Sequence, residues 1–441
     1  MSSRDRIIQD ALRLARQYGV MSRGYADGGS PDMPPEVPAA PSAPSVDDTV
    51  ALAQQTMAAP RPKFSIKKAG AAPVTTPESE SYEFQKLQPG RANTNSLKAA
   101  FDRAIDRHLS LPEGERIANS RAAIKALEPY MGRNKDGGQP ALLSKNAKLM
   151  KAQTGTDFKE PIALDDGRNI ETIGLSLYPD YREGEMKLCP NSASCRDECL
   201  GKTSGQYSQA FTEATEKAKG ITARERAMRR TMAMMREPEA FAVRLWDSIE
   251  ASRRMAEQNG SHLGVRLNTL SDLNPIIHKK LIESQPDVSF YDYTKMGWKP
   301  VADNHHYTHS STGLTQEGVD NPNTNWPKMR RFLDQGDNVA MVFSGPTKTK
   351  LQKDPAQLLP KFVEDKETGK KYRVIDGISH DFRPLDIQEE GADGAIVGLL
   401  NLKSTGKKSE AHLNSKGFFV HYDPKKHGDT VPIIPQKKKE D

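Results

Sequence analysis

Cysteine is scarce in this chain, which has three among its 441 residues. Three cysteines cannot all pair, and all of them lie in one short stretch from Cys189 to Cys199, so a secreted disulfide framework is excluded. Long apolar runs are also missing. No segment could span a bilayer, and residues 1–17 lack the apolar region of a secretory signal. These absences predict a protein of a reducing cytoplasm that has no membrane partner.

Apolar residues make up only 36% of the chain, while glycine contributes 32 residues and proline 30. Such a composition argues against a chain that is folded throughout. The stretch 19–92, rich in Pro, Ala, Ser and Gly, is predicted to be a disordered linker because it cannot bury enough apolar surface. A short amphipathic helix over 1–18 is interpreted as a docking segment for partner proteins. The basic tail, 426–441, carries no fold signal.

Residues 93–168 are predicted to form a small helical region. One apolar face runs from Leu97 to Leu109 and a second from Ile117 to Tyr130, each at helical spacing. A third short helix is predicted from Leu142 to Gln153. This helical region separates the linker from the main domain.

The main domain, predicted over 169–425, contains short apolar runs that alternate with helical stretches. Alternation of this kind is typical of a mainly parallel sheet. The pattern predicts an α/β fold built as a complete or partial β/α barrel, with an open doubly wound sheet as the alternative. The predicted strands are Ile173–Leu177, Leu263–Leu267, Val288–Tyr291, His306–His309, Val339–Phe343, Tyr372–Ile375 and Ala395–Leu400, with a further short one over Phe418–Tyr422. The predicted helices are Ala223–Met235, Glu239–Gln258, Pro275–Ser284 and Trp326–Asp334.

The three cysteines follow the first predicted strand with the spacing C-x5-C-x3-C. Thiolates are soft ligands that prefer iron–sulfur clusters, zinc or copper(I). Because three thiolates leave one coordination position open, we predict a four-iron iron–sulfur cluster bound by Cys189, Cys195 and Cys199. Zinc is the alternative metal. The chain has no fourth cysteine, so a distant His or Asp would have to complete a zinc site.

Polar side chains gather where the predicted strands end. In parallel α/β folds the C-terminal ends of the strands meet at one edge, where the chemistry takes place. We therefore expect a pocket that faces the cysteines, in which Asn268, Ser271 and Tyr291 bind a cofactor. The candidate catalytic residues of the same pocket are Asp272, Asp292, Lys295, His306, Asp376 and Asp381.

Charge is nearly balanced, with 64 basic and 58 acidic residues and a net charge of +6. This excess permits contact with nucleic acid without requiring it. Five arginines between Arg224 and Arg236 follow the cysteines on a predicted helix. They form either a solvated face or a set of phosphate contacts to nucleic acid or a nucleotide.

A set of short motifs covers the chain from about residue 175 to residue 422. They are Leu188-Cys189-Pro190 with the pairs Ser194-Cys195 and Cys199-Leu200, Val265–Asn268 with Ser271-Asp272, Phe290–Lys295, His306–Thr308, Val339–Phe343, Val374–Gly377 and Ile396–Leu399. Together they resemble a bacteriophage family of the gene product 88 type. The family name carries no activity, so the resemblance implies a phage or prophage protein in the cytoplasm of a bacterial host or associated with the virion.

The place of the cysteines, after the first strand and before a helix, also resembles radical S-adenosylmethionine enzymes. The motif of those enzymes, C-x3-C-x2-C, follows the first strand of a β/α barrel. In that family the open iron binds S-adenosylmethionine, so the resemblance implies this cofactor here. The spacing of Cys189, Cys195 and Cys199 departs from the family motif.

Three functions fit these patterns. The leading hypothesis is a radical S-adenosylmethionine-type enzyme that modifies a nucleotide, a nucleic acid or a protein. The second is non-enzymatic: a zinc-stabilised module that binds nucleic acid or associates with the virion. The third is a nuclease that uses Asp272, Asp292 and His306 with a divalent metal.

Overall fold

The computed structural model describes the chain between residues 83 and 434, with gaps. The predicted amphipathic helix, most of the predicted linker, Cys195, Cys199 and the end of the tail lie outside the described residues. The described residues are 83–134, 138, 140–144, 163–179, 181–183, 186–190, 222–316, 321, 324–344, 359–378, 380–386, 394–401 and 417–434.

One large sheet dominates the described part of the chain, and a two-stranded hairpin accompanies it. The strands of the sheet are β1 (Leu143–Ser144), β2 (Asn169–Leu175), β5 (Ser261–Arg266), β6 (Ser289–Thr294), β7 (His305–Ser310), β8 (Val339–Ser344), β9 (Phe362–Asp365), β10 (Lys371–Asp376), β11 (Ile396–Asn401), β12 (Val420–His421) and β13 (Thr430–Ile433). The hairpin consists of β3 (Arg182–Glu183) and β4 (Met186–Lys187).

Seven neighbouring strands of this sheet run parallel. The order along the sheet is β1-β2-β5-β6-β7-β8-β11-β10-β9-β13, and β12 pairs with the end of β8. The parallel run extends from β2 to β10, while β1 and β9 join its two ends as antiparallel neighbours. These seven strands are the seven that the apolar runs predicted, so the α/β prediction with a mainly parallel sheet is confirmed.

The barrel part of the prediction is not borne out, because the described sheet is not closed. The two ends of the parallel run do not pair with each other. At one end β2 pairs with β1, and at the other end β10 pairs with β9. Between β5 and β8 the register nevertheless shifts at each step, and Gly264, the fourth residue of β5, pairs with Ser289, the first residue of β6. Phe290 pairs with His305, the first residue of β7, and His309 near the end of β7 pairs with Val339, the first residue of β8. A stagger of this kind accompanies strands that tilt, as they do in curled sheets.

Helices cover the sheet and share its core. Buried side chains of α1 (Thr94–Ser110), α2 (Glu113–Met131) and α4 (Pro238–Gln258) form one apolar core with those of β2, β5 and β6. Helix α1 begins with a capping box, in which Asn93 and Ser96 each accept a hydrogen bond from the other's backbone N–H. No helix within the described ranges is both long and apolar enough to cross a membrane. The helices are α1 (Thr94–Ser110), α2 (Glu113–Met131), α3 (Ala223–Arg236), α4 (Pro238–Gln258), α5 (Lys279–Glu283), α6 (Trp326–Asp334) and α7 (Pro424–His427).

The last residues of the predicted linker are ordered, contrary to expectation. Phe84 is buried, and the Leu87 N–H donates to the Arg236 carbonyl at 3.0 Å, where α3 meets α4. The Gln85 N–H donates to Glu239 Oε2 at 3.1 Å. A few apolar side chains and one buried carboxylate therefore dock residues 83–92 onto the helices.

Two further local predictions need correction. A helix was predicted from Leu142 to Gln153, but residues 143–144 form strand β1, which pairs with β2. Residues 145–153 lie outside the described residues. In the predicted basic tail, β13 pairs with β9. The sheet thus extends past 169–425 in both directions, because its edges are completed by short strands.

Gly264 of β5 allows the segment after β10 to pack on the sheet, and this gives a first prediction. A Cβ at this position would lie 2.7 Å from Phe382 Cε2 and 3.2 Å from Thr172 Cγ2. Gly264→Ala should therefore lower the free energy of unfolding in urea by about 1–3 kcal/mol through overpacking. Gly114→Ala in α2 is the control, since no atom lies within 4 Å of its new methyl group. Equal stability of Gly264→Ala and the wild type would contradict this packing.

Candidate functional site

The loop after β5 is shaped by the side chain of Asn268. Its Oδ1 accepts hydrogen bonds from Ser271 Oγ at 2.8 Å and from the Leu273 N–H at 3.0 Å. Asparagine often organises a turn in this way because its short amide reaches the backbone nearby. Asn268, Ser271 and Asp272 are consequently all buried at the end of β5.

Asp272 and Asp292 tie the loops after β5 and β6 together. Asp292, on β6, accepts a hydrogen bond of 2.7 Å at Oδ1 from the Asn268 N–H. Asp272 accepts one of 2.8 Å at Oδ2 from the N–H of Lys295, the residue that follows β6. Each carboxyl group therefore fixes the backbone at the end of the neighbouring strand. We call Asn268, Ser271, Asp272, Asp292 and Lys295 the strand-end cluster.

The two carboxyl groups of the strand-end cluster have raised pKa values. Burial raises the pKa of Asp292 to about 7, although the Arg266 guanidinium opposes this change. Burial also raises the pKa of Asp272, and the hydrogen bond from the Lys295 N–H opposes it. A carboxyl group that titrates near neutral pH can both accept and donate a proton, as general acid–base catalysis requires. Asp292 is therefore suited to proton transfer.

The cysteine segment begins beside the strand-end cluster. The hairpin of β3 and β4 leads to Leu188, whose carbonyl accepts a hydrogen bond of 2.8 Å from the Asp272 N–H. Cys189 follows directly and is partly buried. Cys195 and Cys199 lie outside the described residues, so binding of a metal by the three cysteines stays a prediction. Among the residues that the structure describes, no three His, Cys, Asp or Glu side chains come together as a metal site.

Tyr291, His306 and Asp381 lie apart from the strand-end cluster. Successive side chains of a strand point to opposite faces, so Tyr291 and Tyr293 face away from the side of Asp292. On that other face, Arg266 Nη1 donates to Asp381 Oδ2 at 2.9 Å. The Tyr293 hydroxyl donates to Asp381 Oδ1 at 3.0 Å. The single predicted pocket is thus two groups of residues on opposite faces of β6.

A short 3₁₀ helix, Arg383–Leu385, packs over this second group, against β6 and β7. Arg383 is fully buried, and its Nη1 lies 3.2 Å from Asp386 Oδ2. Burial raises the pKa of Asp386 to about 7. Burial, with help from the Arg383 charge, lowers the pKa of His306 to about 4, so this imidazole is neutral at physiological pH. We call this group the arginine cluster; its members are Arg266, Tyr291, Tyr293, His306, Thr308, Asp381, Arg383 and Asp386.

Both clusters lie within the part of the chain that corresponds to a known family. The profile of the family described as Gene product 88 matches residues 141–416, which is more than half of the chain. The chain belongs to the gene product 88 family. This is a phage family, which supports the predicted phage or prophage origin. Comparison with curated proteins and with solved structures finds no match.

One of the five arginines of α3 is buried in the protein, and others bind neighbouring side chains at the surface. Arg230 is buried, and its guanidinium donates to the carbonyls of Ala141 and Ser176. Arg224 donates to the Tyr178 hydroxyl, and Arg229 pairs with Glu225 one helical turn away. Arg230 is therefore neither part of a solvated face nor available for contact with phosphate. It joins α3 to the residues at the start of the sheet.

Asp376 ends β10 and contributes to the turn that follows. Its Oδ1 accepts a hydrogen bond of 2.7 Å from the Ile378 N–H. The Asp376 charge also reaches His380 and opposes the effect of burial, which lowers the pKa of that histidine to about 4. Asp376 therefore belongs to the surroundings of the arginine cluster and not to the strand-end cluster.

Three residues of the arginine cluster were missing from the predicted pocket. Arg266 lies within a predicted strand and Arg383 follows one, but their burial is apparent only in the fold, where the 3₁₀ helix packs over the sheet. Asp386 gave a weak signal in advance, since an Arg and an Asp three residues apart can pair on one helical turn. An arginine within an otherwise apolar predicted strand, such as Arg266 in Leu263–Leu267, is a stronger indication of a buried ion pair, because a charged residue is rarely buried unless it is paired.

Proposed function

We propose that this phage protein binds an iron–sulfur cluster through Cys189, Cys195 and Cys199, next to the strand-end cluster. The observation that carries the proposal is the hydrogen bond of 2.8 Å from the Asp272 N–H to the Leu188 carbonyl. This bond holds the beginning of the cysteine segment against the C-terminal end of β5. In parallel α/β proteins that edge is where cofactors and substrates bind.

The available donors suit such a group. Three thiolates match the ligand preference of iron–sulfur clusters and keep one iron position open for a further ligand, for which S-adenosylmethionine is the candidate. Asp272 Oδ1 is buried without a hydrogen-bond partner among the described residues. A buried polar atom without a partner is costly, so a ligand that contacts Asp272 would stabilise this arrangement.

The residues of the strand-end cluster then divide into two roles. Asn268 and Ser271 hold the loop after β5 in place through their mutual hydrogen bond. Asp292 holds or releases a proton close to neutral pH, since burial raises its pKa to about 7. The activity that fits is radical modification of a nucleotide, nucleic acid or protein, in a partial-barrel variant of the radical S-adenosylmethionine topology. The N-terminal segment 1–18 would dock other phage proteins, in the host cytoplasm or on the virion.

The proposal is tested by absorbance of the full-length protein purified without oxygen. We expect a brown preparation with an absorbance band at about 400 nm, the signature of an iron–sulfur cluster. Cys189→Ser, Cys195→Ser and Cys199→Ser should each lose most of this band. Ser192→Ala, in the same segment, should keep it. A wild-type protein without the band, or three serine variants that all retain it, would overturn the proposal.

A nuclease is the second candidate because Asp272 and Asp292 lie in one cluster, and carboxylate pairs are common ligands of catalytic divalent metals. His306, the third residue of that hypothesis, belongs to the arginine cluster on the other face of β6. Magnesium- or manganese-dependent cleavage of nucleic acid by a protein with all three cysteines replaced would favour the nuclease. Colourless protein with one zinc and salt-dependent binding to nucleic acid would favour the zinc-stabilised binding module.

A further inference from the structure

The arginine cluster contains several buried hydrogen-bond donors that have no partner among the described residues. Three guanidinium nitrogens, Arg266 Nε, Arg383 Nε and Arg383 Nη1, have no hydrogen-bond partner among the described residues. The hydroxyls of Tyr291 and Thr308 are also buried and also have no hydrogen-bond partner among the described residues. Arg383 Nη1 and Asp386 Oδ2 lie 3.2 Å apart as an ion pair, but neither atom has a hydrogen-bond partner among the described residues.

These donors lie on one face of the sheet. Tyr291 pairs with His306 across β6 and β7, and Tyr293 pairs with Thr308. The guanidinium carbon of Arg266 lies 4.8 Å from the centre of the Tyr293 ring and 5.8 Å from that of Tyr291. The 3₁₀ helix that carries Arg383 packs on the same two strands. Their side chains thus share one buried region between the sheet and this helix.

We propose that the arginine cluster is a binding site for a small oxyanion, the phosphate or carboxylate group of a small molecule. Buried polar atoms are nearly always hydrogen-bonded, so several buried donors in one place indicate an acceptor that binds there. Guanidinium groups present parallel N–H donors that match the oxygens of a phosphate or carboxylate. Asp381 and Asp386 keep the two guanidinium groups in place before the anion arrives, through ion pairs of 2.9 and 3.2 Å.

This site is separate from the strand-end cluster, since its residues lie on the opposite face of β6 from Asp292, and none of them is a cysteine. It therefore predicts anion binding with or without the cysteines. The test follows the thermal unfolding of the full-length protein during titration with inorganic phosphate or with acetate, against chloride at equal ionic strength. We expect a saturable rise of the unfolding temperature, with the same midpoint in a variant that has all three cysteines replaced by serine. Saturation by phosphate, by acetate or by both identifies the class of group that binds.

Two variants remove donors that have no hydrogen-bond partner among the described residues. Tyr291→Phe and Thr308→Val should unfold at the wild-type temperature or above without anion, because each loses a buried polar atom that bonds to nothing described. Each should weaken anion binding by about tenfold, the effect of one lost hydrogen bond to a charged group.

Tyr372→Phe is the matched control. The Tyr372 hydroxyl donates to Asp334 at 2.8 Å, outside the arginine cluster. Its loss should lower the unfolding temperature while anion affinity stays at the wild-type value. The proposal is overturned if neither phosphate nor acetate gives a saturable shift, which would mean that water satisfies these donors. Wild-type anion affinity in both Tyr291→Phe and Thr308→Val would overturn it equally.

Discussion

Asp381→Asn is expected to lower the free energy of unfolding by about 3–5 kcal/mol, the usual cost of breaking a buried ion pair. The side chains of Asp381 and Arg266 are each only 3% exposed, and they lie 2.9 Å apart. Asparagine keeps an oxygen that can accept the hydrogen bond from the Tyr293 hydroxyl. The substitution therefore mainly removes the negative charge opposite Arg266, whose own charge stays buried. Urea denaturation at neutral pH measures the effect.

The control for this prediction removes the positive charge as well. Arg266→Met combined with Asp381→Asn should recover at least half of the lost stability, because no buried charge is left without its partner. A loss of less than about 1 kcal/mol in Asp381→Asn alone is what a solvent-exposed pair would show. That result would contradict the burial of the arginine cluster beneath the Arg383–Leu385 helix.

Asp292→Asn is expected to become more stable relative to the wild type as the pH rises. The pKa of Asp292 is about 7 in the folded protein because of burial, whereas an aspartate of the unfolded chain titrates near about 4. Between these values the folded state keeps a proton that the unfolded state releases. The contribution of Asp292 to stability is therefore present below about pH 4 and is lost as the pH rises through about 7. Asparagine never ionises and so avoids this loss.

The comparison should be made by urea denaturation at about pH 5 and about pH 9. The difference in unfolding free energy between Asp292→Asn and the wild type should shift in favour of the variant by on the order of 2–3 kcal/mol. Both proteins carry the same histidines, so those titrations cancel. Val265→Ala, a core change on β5 without an ionisable group, should cost the same at both pH values. A pH-independent difference for Asp292→Asn would contradict the raised pKa.

Most of the parallel strands could be predicted from the sequence because they are buried on both faces. Such strands read as continuous apolar runs, as Val339–Phe343 and Ala395–Leu400 do. The strands that flank this run, β1, β9 and β13, could not, since they are short and half of their residues are polar or exposed. Their pairing is decided by neighbours that are distant in the chain. The open sheet has the same origin, because β1 and β9 pair with the two ends of the parallel run, which a barrel would have joined to each other.

The strand-end cluster followed from a general rule about parallel sheets, but its separation from the arginine cluster did not. Tyr291 and Asp292 are adjacent on β6, so strand alternation alone already places them on opposite faces. What the sequence could not reveal is that Asp381 and Arg383 return to cover Tyr291 and Tyr293. That contact joins residues more than 80 positions apart. The sequence did not reveal the packing of Phe84 against the helices either, because that contact also joins residues that are distant in the chain.

The most direct measurement of the central claim is the iron, acid-labile sulfide and zinc content of the full-length protein, purified without oxygen. A centre formed by Cys189, Cys195 and Cys199 beside Asp272 predicts about four irons and about four sulfides per chain, with little zinc. The same analysis of the variant with all three cysteines replaced by serine should find neither iron nor sulfide above background. One zinc per chain without iron, or equal iron in the serine variant, would contradict the account.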